Sequence, residues 1–164
     1  MMAAAKIVKV GIAEMDIAKV PATIRTAGLG SCVGVVLYDL ERGVAGLVHV
    51  MLPDSGIRSP EGKLNEAKFA DLAIGAMAER LKKEGALRLK AKIAGGAQMF
   101  QLSGAADTMR IGPRNVEAVK QQLAVRRIQL LAEDTGGNSG RTIEFDPKTG
   151  QLSIRTVNAA IKLI

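Results

Sequence analysis

The sequence predicts an α+β fold, a layered arrangement of helices packed on mixed β-sheets. Three observations carry this. Some seven short segments read as strands, two stretches hold a clear helical period, and the strands are grouped instead of alternating strictly with helices. No internal repeat, low-complexity run or linker divides the 164 residues, so a single domain over 1–164 is expected.

The elements follow in order. Residues 7–12 alternate weakly (Ile7, Val8, Val10, Ile12) and read as the first strand, with residues 23–27 as a short extended piece. Gly28-Leu29-Gly30-Ser31 is a turn-rich loop that feeds an apolar run of strand length over 32–38. Residues 39–43 have the composition of a hairpin turn, residues 44–51 form the next strand, and Pro53-Asp54-Ser55-Gly56 breaks the pattern. Over 65–81, Ala67, Ala70, Ile74, Met77, Ala78 and Leu81 recur at three- and four-residue spacing. This is the strongest helix, stopped by Gly85 after Lys82-Lys83. Leu87, Leu89, Ala91 and Ile93 then alternate with Arg88, Lys90 and Lys92 in a strand that ends at Gly95-Gly96. Met99-Phe100 follows as an apolar pair suited to the core.

Gly112-Pro113 opens a second helix running to about Val125, with proline suited to its first turn and Val116, Val119 and Leu123 on one face. Arg114-Asn115 reads as a pair that caps or solvates its start. Residues 128–133 form another strand. Residues 141–145 and 152–157 flank Asp146-Pro147-Lys148-Thr149-Gly150, a hairpin signal.

Composition narrows the function. Hydrophobic residues make up 48% and charged residues 24%, which excludes wholesale disorder. Aromatics are only 2%, so the core is built from aliphatic side chains. Twenty-three Lys and Arg against sixteen Asp and Glu leave +7, a balance that favours anionic partners. The basic residues are scattered, and four aromatics offer little for base stacking, so nucleic acid is not the expected partner. No apolar run approaches the eighteen or so residues of a membrane span, and residues 1–13 lack the layout of a secretory signal. A cytoplasmic protein with a reduced thiol, not inserted in a membrane, is the expectation.

The chain has one cysteine, Cys32, and one histidine, His49. A lone cysteine excludes an intramolecular disulfide, and the two together cannot supply a four-ligand zinc-finger site. No motif nominates carboxylates to complete a metal site, and Gly28-x-Gly30 lacks the third glycine and following helix of a dinucleotide loop. No metal or cofactor is expected. If Tyr38 opposes Gly43 across a four-residue turn, counting along both strands sets Cys32 directly opposite His49. Opposed residues hold their Cβ atoms about 4.5–5.5 Å apart on one face, and a one-residue slip would send them to opposite faces. A thiol beside an imidazole suits nucleophilic catalysis, because the imidazole can take the thiol proton and later return it to a departing amine. Thr26 or Ser31 could orient the ring by accepting from its other nitrogen. The loop amides around Gly30, Ser31 and Cys32 could hold an oxyanion, and Gly28, Gly30 and Gly34 would let a substrate approach the backbone. The plainer reading stands beside this: a cysteine among Val and Gly is usually a small hydrophobe, and a strand histidine a satisfied polar residue.

The assembled blocks resemble a known family. Thr26-Ala27-Gly28-Leu29-Gly30-Ser31-Cys32-Val33-Gly34 and Gly46-Leu47-Val48-His49-Val50-Met51-Leu52-Pro53 are similar to the signature of the CheD chemoreceptor glutamine deamidases. The likeness continues through Lys68-Phe69-Ala70-Asp71, residues 91–100, Ile111-Gly112-Pro113-Arg114-Asn115-Val116 and Glu133-Asp134-Thr135-Gly136-Gly137-Asn138. What the resemblance implies is a cysteine hydrolase that converts glutamines of chemoreceptor helices to glutamates, some members also hydrolysing receptor methyl esters. It implies Cys32, His49 and Thr26 as the catalytic set, with Ser31 and Gly30 as oxyanion candidates. It also implies a CheC-type phosphatase as partner, and a layered fold similar to that of the cytotoxic necrotizing factor toxins. The competing expectation is a non-catalytic module that acts by binding and stimulating the CheC phosphatase.

Overall fold

In a computed structural model that describes residues 6–57, 64–98, 110–157 and 159–164, two five-stranded sheets stack face to face. One sheet runs in the order β1 (Ile7–Val10), β3 (Thr23–Leu29), β8 (Arg141–Asp146), β9 (Gln151–Thr156) and β10 (Lys162–Leu163). The other runs β2 (Met15–Lys19), β5 (Val44–Val50), β4 (Val33–Asp39), β6 (Lys90–Gly95) and β7 (Gln129–Thr135). The β1–β3 and β6–β7 pairs are parallel and the other pairs antiparallel, so both sheets are mixed. Helices α1 (Ala70–Lys83) and α2 (Ile111–Val125) cover the outer face of the second sheet. The α+β class read from the sequence is the observed one. The expected Met99-Phe100 core pair lies outside the described residues.

Every residue of β4 and β5 is buried, because the second sheet is covered on both faces. Val33, Val35 and Leu37 pack toward Ile74, Met77, Val119 and Leu123 of the helices. Val36, Tyr38, Ala45 and Leu47 pack toward Ile24, Ile143, Phe145 and Leu152 of the first sheet. The only described aromatic pair, Tyr38 and Phe145 with ring centroids 4.8 Å apart, bridges the two sheets. Burial on both faces explains why these strands read as continuous apolar runs instead of alternating ones.

Three expectations are corrected. The helix expected over 65–81 divides at Phe69, whose backbone is extended (φ −117, ψ 127); Asn65 caps a single 3-10 turn over Glu66–Lys68, and α1 begins at Ala70. The strand expected from Leu87 begins only at Lys90, because the Leu87 and Arg88 N–H groups donate to the buried Asp39 carboxylate at 2.8 and 3.0 Å. Two strands were absent from the sequence reading, the two-residue edge β10 and β2, whose residues 15–19 pair antiparallel with β5.

Gly34, opposite the single histidine, sits where side chains of the first sheet press close against the second. A Cβ there would lie 2.7 Å from Ile143 Cδ1 and 3.2 Å from Leu29 Cδ1. Its role is therefore sheet-to-sheet approach, where a substrate contact was expected. Gly34→Ala should overpack this contact and cost about 1–3 kcal/mol. The cost should shrink in an Ile143→Val background, which deletes the clashing methyl. Urea unfolding of the two singles and the double mutant measures the coupling, and strictly additive losses would reject this packing account.

Candidate active site

Three strand segments converge where the two sheets meet. Thr26 is buried in β3, His49 is fully buried in β5, and the half-buried Cys32 sits in the loop just before β4. The hairpin register differs from the expected one. The turn does have four residues, but it begins one position later, because Asp39 stays in the strand opposite Val44. Asp39 stays because its carboxylate accepts the backbone N–H groups of Leu87, Arg88 and Arg42. Burial alone would raise its pKa; these donors and the Arg42 charge overcome that and lower it. Moving the turn by one residue moves each pairing by two, so Gly34 opposes His49 and Cys32 lies one diagonal step away. A shift of two preserves the face. Cys32 accordingly packs against the inter-sheet core, the side on which His49 lies. Diagonal neighbours are separated by about 7–8 Å, farther apart than the directly opposed pair that the sequence predicts.

The hydrogen bonds around His49 determine its tautomer. Thr26 Oγ1 donates its one proton to Val10 O at 2.7 Å. The 2.8 Å contact between Thr26 Oγ1 and His49 Nδ1 must then be donated by the ring. The proton sits on Nδ1, and Nε2 presents a lone pair. That Nε2 is buried with no hydrogen-bond partner among the described residues. The backbone of His49 is held on both sides from the segment entering β2: Ala13 N donates to His49 O and His49 N to Glu14 O, each at 3.0 Å. The strand missed from sequence thus brackets the histidine.

Burial sets the charge state. It pushes the His49 imidazole down to about 4 and pushes the Cys32 thiol above its ordinary value of 9.0, its own backbone N–H offsetting part of the rise. At neutral pH the resting pair is a neutral thiol and a neutral imidazole. Burial thus holds both groups in their neutral forms, with no thiolate stored in advance.

Asn115 is also part of this neighbourhood, although its place in the sequence suggested a solvated helix start. It is fully buried, and its Nδ2 donates to Ser31 O and Met51 O, both at 2.9 Å. An asparagine close after Gly112-Pro113 looks like part of a helix start, and only the long-range fold reveals otherwise. Ser31 and Gly30 both lie in the loop leading to Cys32, with Gly30 O accepting from Ala97 N at 2.8 Å.

Comparison with known proteins gives the site its context. The family described as CheD chemotactic sensory transduction matches residues 51–156. The chemoreceptor glutamine deamidase CheD of Bacillus velezensis is 57% identical over 157 residues, covering 94% of each chain. The protein of the same name from Bacillus subtilis is 55% identical over 162 residues, 98% of this chain and 97% of its own. A probable chemoreceptor glutamine deamidase CheD of Geobacillus kaustophilus is 55% identical over 166 residues, 99% and 100% of the two chains. The chain belongs to the CheD family. Within this CheD chain, Thr26, Cys32 and His49 precede the stretch matched by the family, and the alignments to relatives run nearly end to end. Among the described residues no helix is long and apolar enough to cross a membrane.

The depressed histidine predicts a pH signature. Above pH 6.5 the imidazole is neutral in the folded and the unfolded chain alike, so it adds no pH dependence. Between 6.5 and about 4 the unfolded chain takes a proton that the folded chain refuses, so stability falls as pH falls through that window. The size is on the order of 3 kcal/mol, at about 1.4 kcal/mol per pH unit. Urea unfolding at pH 7 and pH 4 should show wild type losing more stability than His49→Gln by about that amount; equal losses would mean the imidazole is not held neutral.

Proposed function

We propose that this CheD-family chain deamidates glutamine side chains of chemoreceptor helices, with Cys32 as nucleophile and His49 as its base. The relatives' printed names supply the reaction class and substrate. The observation that carries the assignment to residues is the orphaned, buried Nε2 of His49, fixed as a lone-pair acceptor by Thr26 and lying on the Cys32 face. A buried ring nitrogen without a partner costs desolvation and does nothing for folding. A docking module for a CheC-type phosphatase would have no use for it, and the enzymatic reading is favoured for that reason.

The proposed steps are these. The substrate carboxamide enters beside Cys32. Sγ attacks the carbonyl carbon as the thiol proton passes to Nε2, giving a tetrahedral oxyanion and an imidazolium. Thr26 accepts from Nδ1–H throughout and stabilises the charged ring. The backbone N–H groups of Ser31 and Cys32 receive the oxyanion. On collapse, the C–N bond breaks and the imidazolium gives its proton to the departing nitrogen, which leaves as ammonia. Water then gives a proton to His49 and attacks the thioester. The second oxyanion collapses, the C–S bond breaks, and the sulfur regains its proton from the ring. Glutamate is released in place of glutamine.

Incubation with a receptor cytoplasmic fragment should release one ammonia per converted glutamine, with the amide-to-acid mass shift at each site. Cys32→Ala should abolish release, and His49→Ala should lower the rate by roughly 10²–10⁴-fold. Thr26→Val should lose less, since it removes an orienting acceptor but leaves the base. Because the resting thiol is protonated, iodoacetamide should alkylate Cys32 with a rate that climbs past pH 9, following the raised thiol. Undiminished ammonia release by Cys32→Ala would remove the assignment, and an alkylation plateau below neutral pH would replace the neutral pair with a stored thiolate.

A further inference from the structure

We propose that Asn115 is a positioning residue: by holding the Ser31 carbonyl it turns the Cys32 backbone N–H toward the place where the oxyanion forms. This inference rests on the deamidase reading above. Asn115 is the fifth residue of α2, just past its first turn, and is completely buried. Its two Nδ2 hydrogens go to Ser31 O and Met51 O, and two carbonyl partners leave the amide one possible orientation. The Ser31 carbonyl and the Cys32 N–H belong to one planar trans peptide, so they point in opposite directions. Since α2 covers the outer face of the sheet, a Ser31 carbonyl drawn to Asn115 leaves the Cys32 N–H pointing away from the helix layer. The thiol lies on that same inter-sheet side. The Cys32 N–H lies close enough to its own sulfur to pull the thiol pKa partly back down, which agrees with this direction.

The flanking peptides are held in the same manner. Ala97 N donates to Gly30 O and Gly96 N to Cys32 O, each at 2.8 Å. These contacts require glycine at the end of β6. Gly95 and Gly96 have φ of +121 and +69, and a Cβ on Gly95 would strike the Cys32 carbonyl oxygen. Three consecutive carbonyls, those of Gly30, Ser31 and Cys32, are therefore anchored from outside. Among the described residues the N–H groups of Ser31 and Cys32 have no backbone acceptor. Asn115 also reaches Met51, two positions beyond His49, so one side chain ties the loop carrying the nucleophile to the strand carrying the base. Its Oδ1 is buried with no partner among the described residues. An apolar residue would fill the space without leaving that atom unsatisfied, so packing alone does not account for an amide here.

The test separates oxyanion stabilisation from nucleophile reactivity in the full-length protein. Deamidation passes through an oxyanion, whereas alkylation by iodoacetamide is a displacement at a saturated carbon and needs none. Asn115→Ala should lower kcat for ammonia release by roughly 10²-fold, the scale of losing one oxyanion donor. The iodoacetamide rate at Cys32, its pH profile, and KM should stay within about threefold. Asn115→Asp keeps the shape of the side chain and, protonated by burial, offers one donor for two carbonyls, so its kcat should fall between the two. Should the alanine variant melt below the assay temperature, the aspartate variant decides by the same pair of rates. A parallel fall in alkylation and kcat would make Asn115 a packing residue of the whole site, and an unchanged kcat would free the oxyanion from it; either overturns the proposal. Ammonia release surviving in Cys32→Ala would instead mark failure of the deamidase assignment itself.

Discussion

Thr26 has one hydroxyl proton, and Val10 O takes it at 2.7 Å, so toward His49 the hydroxyl can only accept. That constraint depends on β1 lying parallel beside β3, with Val10 as the register partner of Thr26. It also depends on the two sheets stacking so that β3 reaches a side chain of β5. Were Thr26 free to donate, the imidazole could hold its proton on either nitrogen. With the proton spent on the backbone, Nδ1 must carry hydrogen and Nε2 cannot. The chemistry available at His49 is therefore decided two strands away, by a main-chain carbonyl.

The packing around that hydrogen bond follows from the same closeness of the sheets. Gly34 opposes His49 and lets Ile143 and Leu29 pack close against the strand there. Backbone bonds from Ala13 and Glu14 fix the histidine from one edge, while Asn115 and the Gly95-Gly96 turn fix the cysteine loop from the other. Both side chains are thus held by long-range contacts instead of by the hairpin that joins them.

This accounts for what the sequence could and could not disclose. The face shared by Cys32 and His49 was legible because side-chain direction depends only on parity, and the error in turn position preserved parity. The register itself was not, since Asp39 reads as a turn residue and remains in the strand only through donors from Leu87 and Arg88, far along the chain. The segment 15–19 does carry an apolar alternation at Met15 and Ile17, but it is short and sits on a sheet edge, where exposure of Asp16 and Lys19 dilutes the pattern. Helix α1 had a strong period, and its true start was hidden because Phe69, apolar and in phase, adopts an extended backbone. Asn115 reads as a helix-opening residue because Gly112-Pro113 has the composition of a helix start, whereas α2 is capped at Arg110 and carries Asn115 a turn further in.

The neutral resting pair and the anchored peptides answer one electrostatic problem. A thiolate and imidazolium stored between two packed sheets would pay desolvation for both ions before any substrate arrived. Burial prevents this by lowering the imidazole to about 4 and raising the thiol, so in the proposed mechanism charge appears only once a carbonyl is attacked. On the proposed reading that charge lands on the substrate oxygen, away from the sulfur. The fold must then supply donors at the oxygen, and it must supply them already oriented, because a loop free to rotate would spend its stabilisation on reorganisation. A site that defers ionisation to the transition state gains most from rigid N–H groups, and on the proposed reading the pinned carbonyls of Gly30, Ser31 and Cys32 serve that end.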